Sequence, residues 1–193
     1  MDPRSLCEAL SQRLPNAVIA WHTYRGDATV TIRPESLLEV AKVLKEELSF
    51  RMDFLIDITA VDYLTFGKSR VPAAFSSSGV AVSPPAQIPD EAPWSGPATR
   101  ARFEAVYHFF SLPLKHRIRI KVPVEEQGMQ VDSLTSLWAG ADWFEREIWD
   151  MFGIRFRGHP NLKRILMYEG FGGHPLRKDY PVNKRQPLIG PVN

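Results

Sequence analysis

Cysteine is almost absent: the 193 residues contain one, Cys7. An iron–sulfur cluster takes roughly four Cys, or Cys with His, and a structural zinc takes four grouped ligands, so neither is expected on this chain. An intrachain disulfide is excluded as well, which fits a reducing compartment, and Cys7 reads as a small apolar residue on a helix face. Long apolar runs are missing too. No stretch approaches the roughly 18 apolar residues of a membrane helix. The opening MDPRSLCEAL has no signal-peptide core and carries Asp2 and Glu8, so a soluble or peripheral protein on the cytoplasmic side is expected. A dominant charge is lacking: the formal net charge is +2, which gives no support to nucleic-acid binding. Nucleotide-binding glycines are lacking, because the glycine cluster at Gly170-Phe171-Gly172-Gly173 neither follows an expected strand nor opens a βαβ unit. No P-loop and no nucleophile elbow are present.

What is there is enough for one domain with an extension. Leu6, Ala9, Leu10 and Leu14 predict a short opening helix over Ser5 to Leu14. Ala17 to Thr23 and Thr29 to Ile32 predict a hairpin turning at Arg25-Gly26-Asp27. Pro34 and then Leu37, Val40, Ala41, Leu44 and Leu48 predict an amphipathic helix facing a sheet. Phe54 to Ala60 reads as a buried strand; within it Asp57 is expected to accept hydrogen bonds at the sheet end, and Asp62 to close a turn.

From Gly67 to Arg100 the composition shifts, with six prolines, Pro72, Pro84, Pro85, Pro89, Pro93 and Pro97, among Ser, Ala and Gly. Such a stretch cannot fill a core, and a surface loop is expected. Phe103, Ala105, Tyr107 and Phe109 then alternate, as do Ile118, Ile120, Val122 and Val124, which predicts an antiparallel hairpin across Leu112 to His116. His108 falls out of phase with the apolar face and is expected to be solvent-facing or on an edge. Asp132 to Trp138 suggests a short capped helix.

The stretch from Asp142 to Pro181 organises the rest. Phe144, Ile148, Met151 and Phe152 make the apolar stripe of a helix that Gly153 closes with a left-handed cap. Asp142, Arg146, Glu147 and Asp150 share the other side, with Arg146 and Asp150 at pairing distance. Beyond it, residues Ile154 to Arg185 hold eight Lys or Arg against two acids. Two Gly-His-Pro triplets break the chain at His159 and His174, and each is followed by a basic pair, Lys163-Arg164 and Arg177-Lys178. With little apolar periodicity, this is expected to be an extended basic arm laid on another surface. His159 and His174 are flanked by cations, which disfavours a metal ion. Glu145, Glu147 and Asp150 admit three readings: general acid/base groups, an exposed ion-paired helix face, or a network locking the fold or a subunit interface.

At these residues the sequence resembles a known family. Glu145-Arg146-Glu147, Asp150-Met151-Phe152-Gly153-Ile154, His159, Lys163 and Ile165-Leu166 are similar to the signature of the C subunit, or 30 kDa subunit, of respiratory complex I, the NADH:quinone oxidoreductase. Gly173 to Pro181, including His174, Arg177, Lys178 and Asp179, is similar to that family's second block. Weaker similarity reaches back through Phe54-Leu55-Ile56-Asp57-Ile58-Thr59 and Asp62-Tyr63, so the resemblance runs from about residue 35 to 181. The Pro-rich stretch departs from it, since the family's connection there is usually shorter.

The resemblance implies a structural subunit with no cofactor of its own, in an assembly where electrons pass from NADH through FMN and Fe-S clusters of other subunits to quinone. Its partners would be the quinone-site D subunit and the neighbouring Fe-S subunits. Its place would be peripheral at the cytoplasmic side of a bacterial cell membrane, which it touches only through the complex. Residues themselves and resemblance together predict an α+β domain over 1–153, with a mixed, largely antiparallel sheet packed by helices, and an arm over 154–193. Glu145, Arg146, Glu147, Asp150, His159, Lys163, Arg164, His174, Arg177, Lys178 and Asp179 are the expected interface or fold-locking residues, with Arg146, Arg164 and Arg177 as fasteners through bidentate bonds to carboxylates. Two alternatives stand: the equivalent subunit of a related membrane-bound oxidoreductase with another electron donor, and a free-standing enzyme using Glu147 and Asp150.

Overall fold

The computed structural model describes residues 1–66, 101–181 and 183, so the expected Pro-rich loop and the far end of the arm lie outside the described residues. Helix α1 (Pro3–Arg13) starts at an Asp2 cap that accepts the Arg4 and Ser5 amides, and it buries Leu6, Cys7 and Leu10. Burial raises the Cys7 thiol to about 11, which leaves it protonated and inert.

Strands β1 (Val18–Tyr24) and β2 (Asp27–Ile32) form the expected hairpin. Its two-residue turn puts Arg25 at φ 50° and Gly26 at φ 83°, the doubly left-handed geometry whose twist matches the strands it joins. A single turn of 3-10 helix (Pro34–Ser36) leads into α2 (Leu37–Glu46), which buries Leu37, Val40, Ala41 and Leu44.

Leu48 does not continue that stripe. The helix ends when Glu47 turns extended, so Leu48 is 81% exposed, and Phe50 and Met52 enter the core in its place. Leu44 lends its carbonyl to the Met52 amide, which folds the chain back under the helix.

Strands β3 (Phe54–Asp62), β4 (Phe103–Ser111) and β5 (His116–Val124) complete a five-stranded sheet in the order β1-β2-β5-β4-β3. Every pairing is antiparallel except β2 with β5, so the fold is α+β with a mixed, largely antiparallel sheet. Two expectations about this sheet need correction. Asp57 is not at the sheet end but follows a register shift within β3, opposite His108. His108 is not on an edge, because β4 lies between β3 and β5 and half-buries it; burial first, and Arg119 next, lower its pKa.

Residues 130–157 form a second small unit: β6 (Gln130–Asp132), a turn, α3 (Ala141–Phe152) and β7 (Arg155–Arg157), with β6 and β7 parallel. The short helix expected from Asp132 to Trp138 is absent. Asp132 belongs to β6 and accepts Arg157 at 2.6 Å, while the Ser133 amide bonds the Arg157 carbonyl. Only one turn at Leu134 remains, closed by the Leu137 and Trp138 amides.

The core runs on past Gly153, because Ile154 and Phe156 are buried with Ile148, Met151 and Phe152, so its limit lies beyond the expected domain edge. Its centre is the row Phe103, Tyr107, Phe109, Ile118 and Ile120 on the sheet face that the helices cover. No helix among the described residues is long and apolar enough to cross a membrane.

The Leu48 and Phe50 difference is directly testable. Phe50→Ala empties a fully buried position and should cost about 3–5 kcal/mol of unfolding free energy, whereas Leu48→Ala should stay within about 0.5 kcal/mol. Urea denaturation of both variants checks it.

Candidate functional site

The site residues gather where the C-terminal end of α3 meets the segment 159–180, and one carboxylate organises them. Asp150 is fully buried. Its Oδ2 accepts three successive amides, Ile165 at 3.1 Å, Leu166 at 2.9 Å and Met167 at 2.8 Å. Such a run of N–H groups forms a concave anion nest, the arrangement proteins use for phosphate. Its Oδ1 is held by the Arg164 guanidinium. Arg164 also donates to the Phe171 carbonyl at 2.9 Å and the Gly173 carbonyl at 3.2 Å, lying against the Trp149 and Phe171 rings. Burial alone would raise the Asp150 pKa; the Met167 amide, Arg164 and the Leu166 and Ile165 amides outweigh it and hold the carboxyl below its ordinary value.

The expected pair of Arg146 with Asp150 does not form. Helical spacing allows it, but Asp150 points into the nest, and Arg146 donates instead to the Lys163 carbonyl at 3.1 Å and the Arg164 carbonyl at 3.2 Å. Nor do Glu145 and Asp150 lie on an exposed face, since both are fully buried; only Glu147 of the three acids is exposed.

Gly153 makes a second anchoring point possible. At φ 80° it turns the chain off α3, and a Cβ built there would stand 2.6 Å from His174 Nε2 and 2.8 Å from an Arg177 nitrogen. Glycine is therefore required twice, for the left-handed backbone and for the approach of the arm. His174 Nδ1 faces the Asp150 carbonyl at 3.0 Å, Arg177 Nε donates to the Phe152 carbonyl at 2.6 Å, and the Leu176 amide donates to the Met151 carbonyl. The last-turn carbonyls of α3, which a helix leaves without partners, are thus taken by the arm. Burial lowers the His174 pKa, and Arg177 and Arg164 add to this against the Asp150 carbonyl; this imidazole is a neutral donor rather than a cation.

A third point joins the arm to the sheet. Asp62 at the end of β3 closes a turn by accepting the Leu64 amide at 2.9 Å, as expected, and it also accepts the Lys178 amide at 2.8 Å. Arg102 bridges Asp62 at 3.2 Å, Asp179 at 2.8 Å and Glu126 at 2.5 Å. These three acids raise the Arg102 pKa, with Asp62 contributing most.

Arg102 and the double use of Asp62 were not foreseen. Asp62-Tyr63 stood within the weaker resemblance, but Arg102 lies just past the Pro-rich stretch and no spacing connects it to Asp62.

Arg164 and Arg177 bond this chain's own carboxylate and carbonyls rather than standing free for a partner, and the arm up to Pro181 lies on its own domain. His159 likewise turns inward: its Nδ1 accepts the Asn161 amide at 3.0 Å and its Nε2 faces Asp142 Oδ1 at 3.1 Å. Among the described residues no three His, Cys, Asp or Glu side chains are grouped as metal ligands. The side chains left outward include those of Glu147, Lys163, Leu166, Leu176, Lys178 and, 67% exposed on α3, Trp143.

The chain is thus a small α+β domain whose C-terminal arm locks back onto one helix. The chain belongs to the family described as respiratory-chain NADH dehydrogenase, 30 kDa subunit, which it matches over residues 30–186. It is 44% identical to the C subunit of the NADH-quinone oxidoreductase of Citrifermentans bemidjiense, over 94% of this chain and 92% of that one. It is 39% identical to the corresponding C subunit of Roseiflexus sp. strain RS-1, over 96% and 88%.

Among solved structures, Nqo5 in its trypsin-resistant fragment (1-134) superposes with a TM-score of 0.59 at 27% identity, covering 84% of this chain and 100% of that one. A chain of an archaeal membrane-bound sulfane sulfur reductase shares the fold at a TM-score of 0.64 and 16% identity, over 93% and 86%.

The nest makes Asp150 the costliest acid to neutralise. Asp150→Asn keeps the shape but turns an amide toward donors, and should cost about 3–5 kcal/mol at pH 7. Because the folded pKa lies below the unfolded one, this contribution is complete above the ordinary carboxyl value near 3.9 and fades as pH falls through the folded pKa. Denaturation at pH 7 and pH 3 should therefore show a large gap between the two proteins at pH 7 and a smaller one at pH 3.

Proposed function

We propose that this chain is a structural subunit, carrying no cofactor of its own, of the peripheral arm of a proton-translocating NADH:quinone oxidoreductase, where FMN and Fe-S clusters of other subunits carry electrons from NADH to quinone. The observation that carries this reading is the Asp150 nest together with the family match. Glu145 and Asp150 face backbone amides, and Asp150 also Arg164, rather than a substrate cleft, so this part of the signature reads as a fold-locking device. A single cysteine also leaves no ligand set for a cluster.

The outward side of the latched arm is the part proposed to meet the quinone-site D subunit and the neighbouring Fe-S subunits. Leu166 and Leu176 on the arm and Trp143 on α3 are exposed, as are Lys163 and Lys178, a mix of large apolar groups and cations suited to a protein interface. Membrane contact would come only through the complex, at the cytoplasmic side of the bacterial membrane.

Two other readings are weaker on specific grounds. A fully hydrogen-bonded carboxylate with a depressed pKa is a poor general base, which speaks against a free-standing enzyme using Glu147 and Asp150. The likeness to the sulfane sulfur reductase chain, at 16% identity, concerns the fold, while the 44% identity is to a component of a NADH-quinone oxidoreductase.

Purified alone, the chain should be colourless and should not oxidise NADH. Tagged and isolated from gently washed membranes, it should bring down cluster-bearing subunits with NADH:quinone activity. Leu166→Asp combined with Leu176→Asp should leave the melting temperature of the isolated chain nearly unchanged and lower the yield of assembled complex severalfold. A stoichiometric flavin or cluster on the isolated chain, or a double variant that assembles normally, overturns the corresponding half of the reading.

A further inference from the structure

Glu145 is the buried acid of the signature that has no salt bridge, whereas Asp150 is paired with Arg164. Its side chain is completely buried in the first half of α3. Oε1 accepts the Leu134 amide at 2.7 Å, fastening the 133–138 turn to the helix. Oε2 is sealed from solvent and has no hydrogen-bond partner. Asp142 Oδ1, one turn earlier on α3, is orphaned as well, as are two polar atoms on neighbouring elements, Tyr107 Oη on β4 and Trp138 Nε1 in the turn. The two rings belong to one packed group: Trp138 lies against the Phe109 ring at 4.9 Å, Phe109 stacks on Tyr107, and Tyr107, whose pKa burial raises first, lies close enough to Glu145 and Asp132 for either acid, once ionised, to raise it further.

The charged groups around this point do not compensate a carboxylate. Asp142, one turn earlier on α3, is an acid, and so is Asp132 on β6, whose carboxylate is taken by Arg157. His159 faces Asp142 through Nε2 while its Nδ1 accepts the Asn161 amide. Nε2 also meets the Asp142 main-chain carbonyl at 3.2 Å, so both ring nitrogens are engaged away from Glu145. Lys45 on α2, whose ammonium sits over the Trp138 ring, gives its proton donor to the Leu137 carbonyl. An ionised carboxylate with no cation in a sealed site is strongly disfavoured against its neutral form.

We propose that Glu145 keeps its proton up to neutral pH and acts as a pH-sensitive fastener of the 133–138 turn on α3. Its ionisation leaves a buried charge, which is relieved when the turn lifts from the helix and admits water. Burial, and secondarily Asp142, raise the Glu145 carboxyl to about 7 against the pull of Ser133 and the Leu134 amide. The sign follows. The unfolded chain gives up this proton near the ordinary glutamate value and the folded chain gives it up only around 7, so stability from this group falls as pH rises between the two and is flat above.

The test uses the full chain, wild type and Glu145→Gln, with carboxyl-13C NMR of the glutamates and amide hydrogen exchange at Leu134 between pH 5 and 8.5. The signal missing in Glu145→Gln is the Glu145 carboxyl, and its midpoint in the wild type should lie near 7. The wild-type folding constant should fall on the order of a hundredfold across that window, with Leu134 protection falling alongside it beyond the ordinary base-catalysed trend. The Glu145→Gln protein, which keeps the acceptor for Leu134, should show neither change. Should that variant fail to fold, Asp142→Asn gives an independent reading, because removing the neighbouring charge should move the Glu145 midpoint to lower pH. A wild-type midpoint near 4.5, a Glu145→Gln protein with the same pH profile as wild type, or an Asp142→Asn midpoint that stays or rises would each overturn the proposal.

Discussion

One carboxylate without solvent, Asp150, sets the terms for the C-terminal third of the molecule. A buried charge must be matched or it neutralises itself. Here the match is made from a distance in sequence: an arginine fourteen residues on and three consecutive amides after it. Those amides can converge on one oxygen only if the backbone from 164 to 167 is wrapped around it. The charge therefore dictates the path of the arm, and the arm in turn satisfies the carbonyls that α3 leaves open. Gly153 is the geometric condition for both, since any side chain there would occupy the space of His174 and Arg177.

The arm is held by polar contacts because its composition offers little else. Phe171 and Tyr180 stack on each other and Tyr168 meets Phe171 edge-on, but Leu166 and Leu176 face outward. Charge-assisted bonds from Arg102, Arg164 and Arg177 carry the attachment that apolar burial supplies elsewhere in the domain. Asp150, Arg164, His174 and Arg177 make these contacts, while the side chains of Glu147 and Lys163 stay exposed.

Much of this fold was legible from periodicity. The hairpins, α2, β3 and α3 followed from apolar spacing, and the left-handed cap followed from Gly153 alone. Periodicity stops informing where a residue's partner is remote. Arg146 and Asp150 have ideal helical spacing, yet the nest, built from residues with no pattern of their own, turns Asp150 away. Leu48 fitted the helical stripe by spacing, but Glu47 leaves helical geometry one residue before it. Asp132 resembled a helix cap because strand β7, which captures it, is three residues long and too short to announce itself. Arg102 gave no signal, since its three acids come from β3, the segment after β5 and the arm.

The Lys178 amide and Asp62 are 116 residues apart, and this span has a consequence for biosynthesis. Chains are made from the N-terminus, at rates slow enough for early segments to fold first. Asp62, Arg102 and Asp150 all leave the ribosome before the residues that complete their coordination. Until 164 to 178 follow, the end of α3 is a hydrated, half-built surface with bare carbonyls. Closure of 164 to 178 is thus also the step that dries it, so a chain truncated before Arg164 would keep its sheet and carry an unsealed α3 end.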